Sequence, residues 1–128
     1  MPELRKVLYV EDEPDIQAVA RIALETVGGL EVAVCSNGQE ALDRAAAFDP
    51  DLILLDVMMP GLDGPDTLMA LRKLPGFGAK PVIFMTAKVM EAEVQRYHDL
   101  GAIGVIAKPF DPMSLAERVR ALWNGHDG

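Results

Sequence analysis

The sequence contains few of the residues that build disulfides or zinc sites. Cys35 is its one cysteine, so an internal disulfide and a thiolate metal cluster are excluded, and we expect Cys35 to be a small buried apolar side chain. His98 and His126 are the two histidines. They are too far apart in the sequence to indicate a zinc site, and we expect both at the surface.

Long apolar runs are missing as well. No stretch approaches the roughly 18 residues that a membrane span requires, and the start, Met-Pro-Glu-Leu-Arg-Lys, lacks the apolar region of a secretory signal. We therefore expect a cytoplasmic protein with no membrane partner. Basic residues are outnumbered, since 12 Lys and Arg face 20 Asp and Glu for a net charge of −8. This balance argues against nucleic acid as a partner.

The length and composition predict one globular domain. A chain of 128 residues, 50% hydrophobic and 25% charged, can bury a core without metal or disulfide support. We expect a single domain over residues 1–128, with a core over about residues 5–124. Only Asn-Gly-His-Asp-Gly follows Trp123, which predicts that no output domain is attached.

Five short apolar runs alternate with five helical stretches. The runs cover residues 6–10, 31–35, 51–56, 81–86 and 104–107. Uninterrupted apolar runs are typical of strands that are covered on both faces. The alternation predicts the α/β class: a doubly wound, five-stranded parallel sheet with five helices.

The sequence predicts the buried face of the first helix and the starting point of the last helix. In the first, apolar residues at three- and four-residue steps predict a buried face; they are Ile16, Val19, Ala20, Ala23 and Val27. For the last helix, Asp111 is the predicted cap and Pro112 the predicted first residue.

Polar side chains stand where four of these strands end. Glu11 and Asp12 follow the first strand, Asp56 ends the third, Thr86 ends the fourth and Lys108 follows the fifth. Because parallel strands share their carboxyl edge, where ligands bind in open α/β sheets, we expect these side chains to converge.

This set of side chains is suited to phosphoryl chemistry. Mg²⁺ takes one or two carboxylates together with phosphate oxygens, so Asp12 and Asp56 are candidate ligands, supported by Glu11. Lys108 and the Thr86 hydroxyl are suited to phosphoryl oxygens, and an ionised aspartate can itself form an acyl phosphate. Each residue taken alone also has a purely structural interpretation, such as helix-terminal acids or a solvated surface lysine.

The chain closely resembles the receiver domain of two-component response regulators, including the single-domain kind used in chemotaxis. The matching motifs are Glu11-Asp12, Asp56, Met59-Pro60-Gly61-Leu62-Asp63-Gly64, Met85-Thr86-Ala87, Gly101-Ala102 and Lys108-Pro109-Phe110. They span nearly the whole chain in the order and spacing of that family, and the resemblance implies its flavodoxin-like fold.

The resemblance implies a phosphoacceptor rather than an enzyme with an external substrate. Asp56 would accept a phosphoryl group from a histidine kinase or a histidine phosphotransfer protein. Asp12, Asp56 and the backbone carbonyl of Met58 would bind Mg²⁺ in the acidic pocket, and Thr86 and Lys108 would contact the phosphoryl oxygens. The Lys108-Pro109 peptide bond is expected to be cis.

Because no output domain is predicted, the domain would signal to a separate and unidentified downstream protein, or would act as a phosphoryl shuttle or sink. We expect a monomer or weak dimer.

The chain departs from the family pattern at Val105, where many relatives place Tyr or Phe. The usual aromatic switch is then absent or replaced. Met58 and Lys88 border the pocket in the family and influence dephosphorylation, although Lys88 can simply face solvent. Tyr97 and Trp123 fit either a partner-binding face or the core.

Three alternatives stay open at this point. A haloacid dehalogenase-type phosphohydrolase also uses a strand-end aspartate, but it needs a second acid where this chain has Met58. A flavodoxin-like cofactor module shares the fold, but Glu11-Asp12-Glu13 would repel a phosphate after the first strand. A receiver-like module that binds partners without phosphorylation is the third, and Val105 keeps it open.

Overall fold

The computed structural model describes residues 3–126, and its centre is one parallel sheet. The strands are β1 (Lys6–Val10), β2 (Glu31–Cys35), β3 (Leu52–Asp56), β4 (Val82–Thr86) and β5 (Gly104–Ala107). Their spatial order is β2-β1-β3-β4-β5, and all neighbours are parallel. The predicted five-stranded parallel sheet is confirmed.

Five helices cover this sheet on both faces. They are α1 (Pro14–Arg21), which continues as a π-helical segment (Ile22–Val27), α2 (Gly38–Phe48), α3 (Gly64–Arg72), α4 (Glu91–Asp99) and α5 (Leu115–Gly125). One core cluster contains side chains of α1 and α5, and the other contains side chains of α2, α3 and α4. The chain reverses its direction across the sheet beside β1, which opens a crevice beyond the carboxyl ends of β1 and β3.

The central strand shows why its sequence is apolar throughout. All five residues of β3 are buried. Leu52 and Leu54 belong to the cluster under α1 and α5, whereas Ile53 and Leu55 belong to the opposite cluster. Apolar side chains on both faces leave Asp56, the last residue of the strand, as its chemically distinct member.

Two helices next to the crevice begin at side-chain caps. The Asn37 side chain accepts a hydrogen bond from the backbone N–H of Glu40 at 2.8 Å, and the Asp63 side chain accepts one from Asp66 at 2.9 Å. Such caps satisfy backbone donors that a helix start leaves unpaired. They fix the starting points of α2 and α3.

The predicted buried face of the first helix is partly wrong. Ala20 and Ala23 are buried as expected, but Val19 and Val27 are 42% and 47% exposed, and Leu24 is fully buried. The wider turn of the π-helical segment changes the angle between successive side chains. That change moves Val27 off the core-facing side.

The predicted start of the last helix is also wrong. α5 begins at Leu115, after Ser114. Asp111 instead accepts a hydrogen bond from the backbone N–H of Met113 at 2.9 Å. This bond and the one that the Ser114 N–H donates to the Asp111 carbonyl at 3.1 Å close a turn over residues 111–114, and the α-helix starts after that turn.

Other side chains settle into the core or the surface. Cys35 is buried as expected, and burial raises the pKa of its thiol to about 11, which disfavours the reactive thiolate. Tyr97 and Trp123 are buried too, which favours the core interpretation of both.

His98 is exposed and His126 is half-buried. Within residues 3–126, no helix is long and apolar enough to cross a membrane.

A close contact between the end of the π-helical segment and α5 gives the first prediction. A Cβ atom added at Gly28 would collide with Ala116 and lie 2.7 Å from the Leu24 carbonyl oxygen. We expect Gly28→Ala to lower the free energy of unfolding by about 1–3 kcal/mol, because two packed elements must separate. Urea denaturation measures the change.

Gly78→Ala is the matched control, since an added Cβ at Gly78 meets nothing within 4 Å. Equal stability of the two variants would contradict the packing described for Gly28.

Candidate functional site

The carboxyl edge of the sheet brings the polar strand-end residues together. Glu11 directly follows β1, Asp56 and Thr86 end β3 and β4, and Lys108 directly follows β5. The register sets Asp56 beside Met85, so Thr86 lies one residue further along the neighbouring strand.

Lys108 joins two of the acids. Its ammonium nitrogen Nζ lies 3.0 Å from Glu11 Oε1 and 3.2 Å from Asp56 Oδ1. Glu11 is 0% and Asp56 is 2% exposed. Buried carboxylates need such partners, because leaving one without a partner costs several kcal/mol.

A third acid completes the cluster. Carboxylate oxygens of Glu11, Asp12 and Asp56 all lie within 4.8 Å of one another. Asp12 is half-buried, unlike the other two, so the cluster reaches the protein surface at this residue. The Met58 side chain, on the loop after β3, is 66% exposed.

The crowding perturbs the protonation of Asp56 and Lys108. Burial, followed by the negative charge of Glu11, raises the pKa of Asp56 to about 7, and the positive charge of Lys108 opposes this rise. Burial by itself would lower the pKa of Lys108. The hydrogen bond to Glu11 and the charges of Asp56 and Glu11 outweigh that effect and raise it.

The donor set fits a hard divalent cation. Glu11, Asp12 and Asp56 offer three carboxylates, and Lys108 is the one ammonium bonded to this cluster within residues 3–126. When all are ionised, two negative charges remain in excess. Oxygen ligands and excess negative charge are what Mg²⁺ requires.

Thr86 is placed to donate a hydrogen bond at the same edge. It is 2% exposed, and its Oγ1 accepts a hydrogen bond from the backbone N–H of Lys88 at 3.0 Å. Its own O–H can therefore point toward an acceptor in the crevice. The Lys88 side chain is exposed.

The structure also shows contacts that the sequence reading missed. The Tyr9 hydroxyl lies 3.4 Å from Glu11 Oε1, and the backbone N–H of Glu13 donates to Glu11 Oε2 at 3.3 Å. Gln17 donates to the Glu11 backbone carbonyl. Tyr9 stands two residues before Glu11, so strand alternation places both on one face, but the sequence does not specify that their side chains meet.

Val105 occupies the position of the missing aromatic residue. It is half-buried and lies beside Phe84 in the register of β4 and β5. The Phe84 ring packs at 5.1 Å, between centroids, from the buried ring of Tyr97 in α4. The Lys108-Pro109 peptide bond is cis, as expected.

Comparisons with known proteins agree with this arrangement. The family model described as response regulator receiver domain matches residues 7–120. The DNA-binding response regulator MtrA of Mycolicibacterium smegmatis is 36% identical over 117 residues, which are 91% of this chain and 50% of that protein. The alkaline phosphatase synthesis transcriptional regulatory protein PhoP of Bacillus subtilis is 38% identical over 118 residues, 92% of this chain and 48% of that protein.

Solved structures are similar too. The chemotaxis protein CheY4 of Vibrio cholerae has a TM-score of 0.85 and 29% sequence identity, over 93% of this chain and 98% of that one. The chain spans about half the length of the two regulators it matches. It belongs to the response regulator receiver domain family of two-component signalling, and the predicted flavodoxin-like receiver fold is confirmed.

The raised pKa of Asp56 gives the second prediction, for metal-free protein in EDTA. Because the folded-state pKa of about 7 lies above the ordinary 3.8, the contribution of Asp56 to the free energy of unfolding falls as pH rises from about 4 to about 7. Asp56→Asn removes this titration. We expect its stability relative to wild type to increase by about 2 kcal/mol between pH 4 and pH 8.

Urea denaturation at several pH values measures this difference, and the same change at the exposed Asp66 is the control. A stability difference between Asp56→Asn and wild type that is constant with pH would contradict the assignment.

Proposed function

We propose that Asp56 accepts a phosphoryl group from a histidine kinase or a histidine phosphotransfer protein, and that this switches the domain's interaction with a separate protein. The observation that carries the proposal is the Lys108 ammonium, bonded at once to Glu11 and Asp56 at the buried carboxyl edge. Family membership over residues 7–120 supports it.

The reaction needs an ionised Asp56. One of its carboxylate oxygens forms a bond to phosphorus while the bond from phosphorus to the donor histidine nitrogen breaks. That nitrogen keeps the electron pair, and the imidazole, protonated at its other ring nitrogen, leaves neutral. Positioning and charge neutralisation supply most of the catalysis in such transfers. Lys108 is close enough to Asp56 to bind one oxygen of the new phosphoryl group, and the Thr86 hydroxyl donates a hydrogen bond to another oxygen of that group.

A magnesium ion is part of the proposal. Glu11, Asp12 and Asp56 would hold it, together with the Met58 backbone carbonyl that the family resemblance assigns. Bound there, Mg²⁺ would neutralise the charge of the carboxylates and of the arriving phosphoryl oxygens. The half-buried Asp12 would give the ion access from solvent.

The domain is proposed to act as a switch and not as an enzyme with an external substrate. Its chemistry would be limited to its own phosphorylation and dephosphorylation. Family membership counts against the phosphohydrolase and the flavodoxin-like cofactor module. The residues do so as well, because a haloacid dehalogenase needs an acid at position 58, which is Met58, and a flavodoxin needs a phosphate loop where Glu11-Asp12-Glu13 stands.

The proposal also covers the extent of the domain, its location in the cell, its oligomeric state and the kind of partner it binds. We take residues 1–128 as one receiver domain with a core over about residues 5–124, cytoplasmic, and a monomer or weak dimer. MtrA is described as DNA-binding. For this chain, the net charge of −8 favours a protein partner over nucleic acid.

Val105 favours two alternatives to the switch. In one the domain is a phosphoryl shuttle or sink, and in the other it binds its partner regardless of phosphorylation. A valine has no ring to swing between a buried and an exposed position. Coupling between Asp56 and α4 would then have to pass through other side chains.

The third prediction concerns the phosphoacceptor. Incubation with Mg²⁺ and acetyl phosphate should add one phosphoryl group per chain to wild type and to Asp66→Asn, and none to Asp56→Asn, because within residues 3–126 Asp56 is the one aspartate in contact with Lys108. Intact-protein mass spectrometry measures the addition. Equal labelling of Asp56→Asn would refute the assignment.

The fourth prediction separates a switch from a sink. Beryllofluoride with Mg²⁺ mimics the phosphorylated state, and in a switch it should change backbone amide NMR signals of α4 and β5 as well as those near Asp56. Changes confined to the residues around Asp56, Thr86 and Lys108 would contradict the switch and support the sink.

A further inference from the structure

Tyr9 connects the hydrophobic core to the acidic edge. It is a large β1 side chain with 0% exposure, packed in the core cluster under α1 and α5. The backbone N–H of Glu11 donates to Cys35 at 3.0 Å, so the ladder of β1 and β2 continues to Glu11. Strand alternation then places Tyr9 and Glu11 on one face.

The Tyr9 hydroxyl and Lys108 share one acceptor. The hydroxyl lies 3.4 Å and the Lys108 ammonium 3.0 Å from the same oxygen, Glu11 Oε1. An ionised carboxylate can only accept hydrogen bonds, so the Tyr9 hydroxyl is the donor.

The two donors differ in how firmly they are held. The Tyr9 ring is enclosed by the core, whereas the Lys108 side chain is 17% exposed and contacts both Glu11 and Asp56. A hydrogen bond from a hydroxyl to an ionised carboxylate is commonly about 2.5–2.7 Å long, so the bond from Tyr9 at 3.4 Å is long while Lys108 occupies the same oxygen.

We propose that Tyr9 is a positioning residue that keeps the Glu11 carboxylate in place when Lys108 turns from Glu11 toward a phosphoryl group on Asp56. The proposal rests on the function proposed above. Glu11 is fully buried, and a buried carboxylate that loses a donor is left with an unsatisfied charge and moves. The Tyr9 hydroxyl prevents this, and so it supports both magnesium binding and phosphorylation.

The contact itself is tested without magnesium. The chain has two tyrosines, so protein labelled with 3-fluorotyrosine gives two ¹⁹F NMR signals, and Tyr9→Phe assigns them. In metal-free buffer, Glu11→Gln should shift the Tyr9 signal and leave the Tyr97 signal in place. A Tyr9 signal whose chemical shift is the same in wild type and Glu11→Gln would overturn the proposal, whether or not the protein is phosphorylated.

The functional role is tested with a matched pair of variants. Tyr9→Phe and Tyr97→Phe each remove one hydroxyl from a buried ring. We expect Tyr9→Phe to weaken Mg²⁺ binding and slow phosphorylation by acetyl phosphate about three- to tenfold, the worth of one hydrogen bond. Tyr97→Phe should stay within about twofold of wild type. Calorimetric titration and intact-protein mass spectrometry measure the two effects.

The outcomes separate this inference from the proposed function. Wild type that is not phosphorylated would refute the function, and the fluorine experiment would still decide the contact. Active wild type with Tyr9→Phe and Tyr97→Phe both unaffected would overturn the role of Tyr9. Urea denaturation checks that both variants fold. If Tyr9→Phe does not, Tyr97→Phe assigns the two fluorine signals and the Glu11→Gln shift of the Tyr9 signal decides the proposal.

Discussion

The structure depends on one ammonium group placed between buried carboxylates. Glu11 and Asp56 have almost no contact with solvent, and taking a charge out of water is costly unless a partner of opposite sign is in contact. Lys108 meets both acids at hydrogen-bond distance. The remaining negative charge, shared with Asp12, makes the edge attractive to a cation and, once the cation is bound, to a phosphoryl group.

Much of this edge could be predicted from the sequence, for a geometric reason. Parallel strands end at the same side of the sheet, so residue type at the strand ends is informative however far apart the strands lie in the chain. The acids after β1 and β3, the hydroxyl of Thr86 and the lysine after β5 follow from that rule. Their roles in phosphoryl transfer rest on chemistry and family membership and await experiment.

Features set by packing could not be predicted in the same way. More apolar residues of the first helix fit a helical face than the core covers, since Val19 and Val27 are exposed. Val27 lies in the π-helical segment, which turns it away from the core. Asp111 and Pro112 resemble a helix start, and the carboxylate bonds to Met113 as a cap would, but the backbone forms a turn there and α5 begins at Leu115. The contact of Tyr9 with Glu11 depends on how far a ring extends along the sheet, which the strand pattern does not specify.

The account as a whole is tested most directly by locating the phosphorylated residue chemically. Borohydride reduces an aspartyl phosphate to homoserine, so phosphorylated protein treated with it, digested and sequenced by mass spectrometry reports the position. The account predicts homoserine at position 56 and at no other aspartate. Homoserine at Asp12 or elsewhere, or none in protein that carries phosphate, would contradict it.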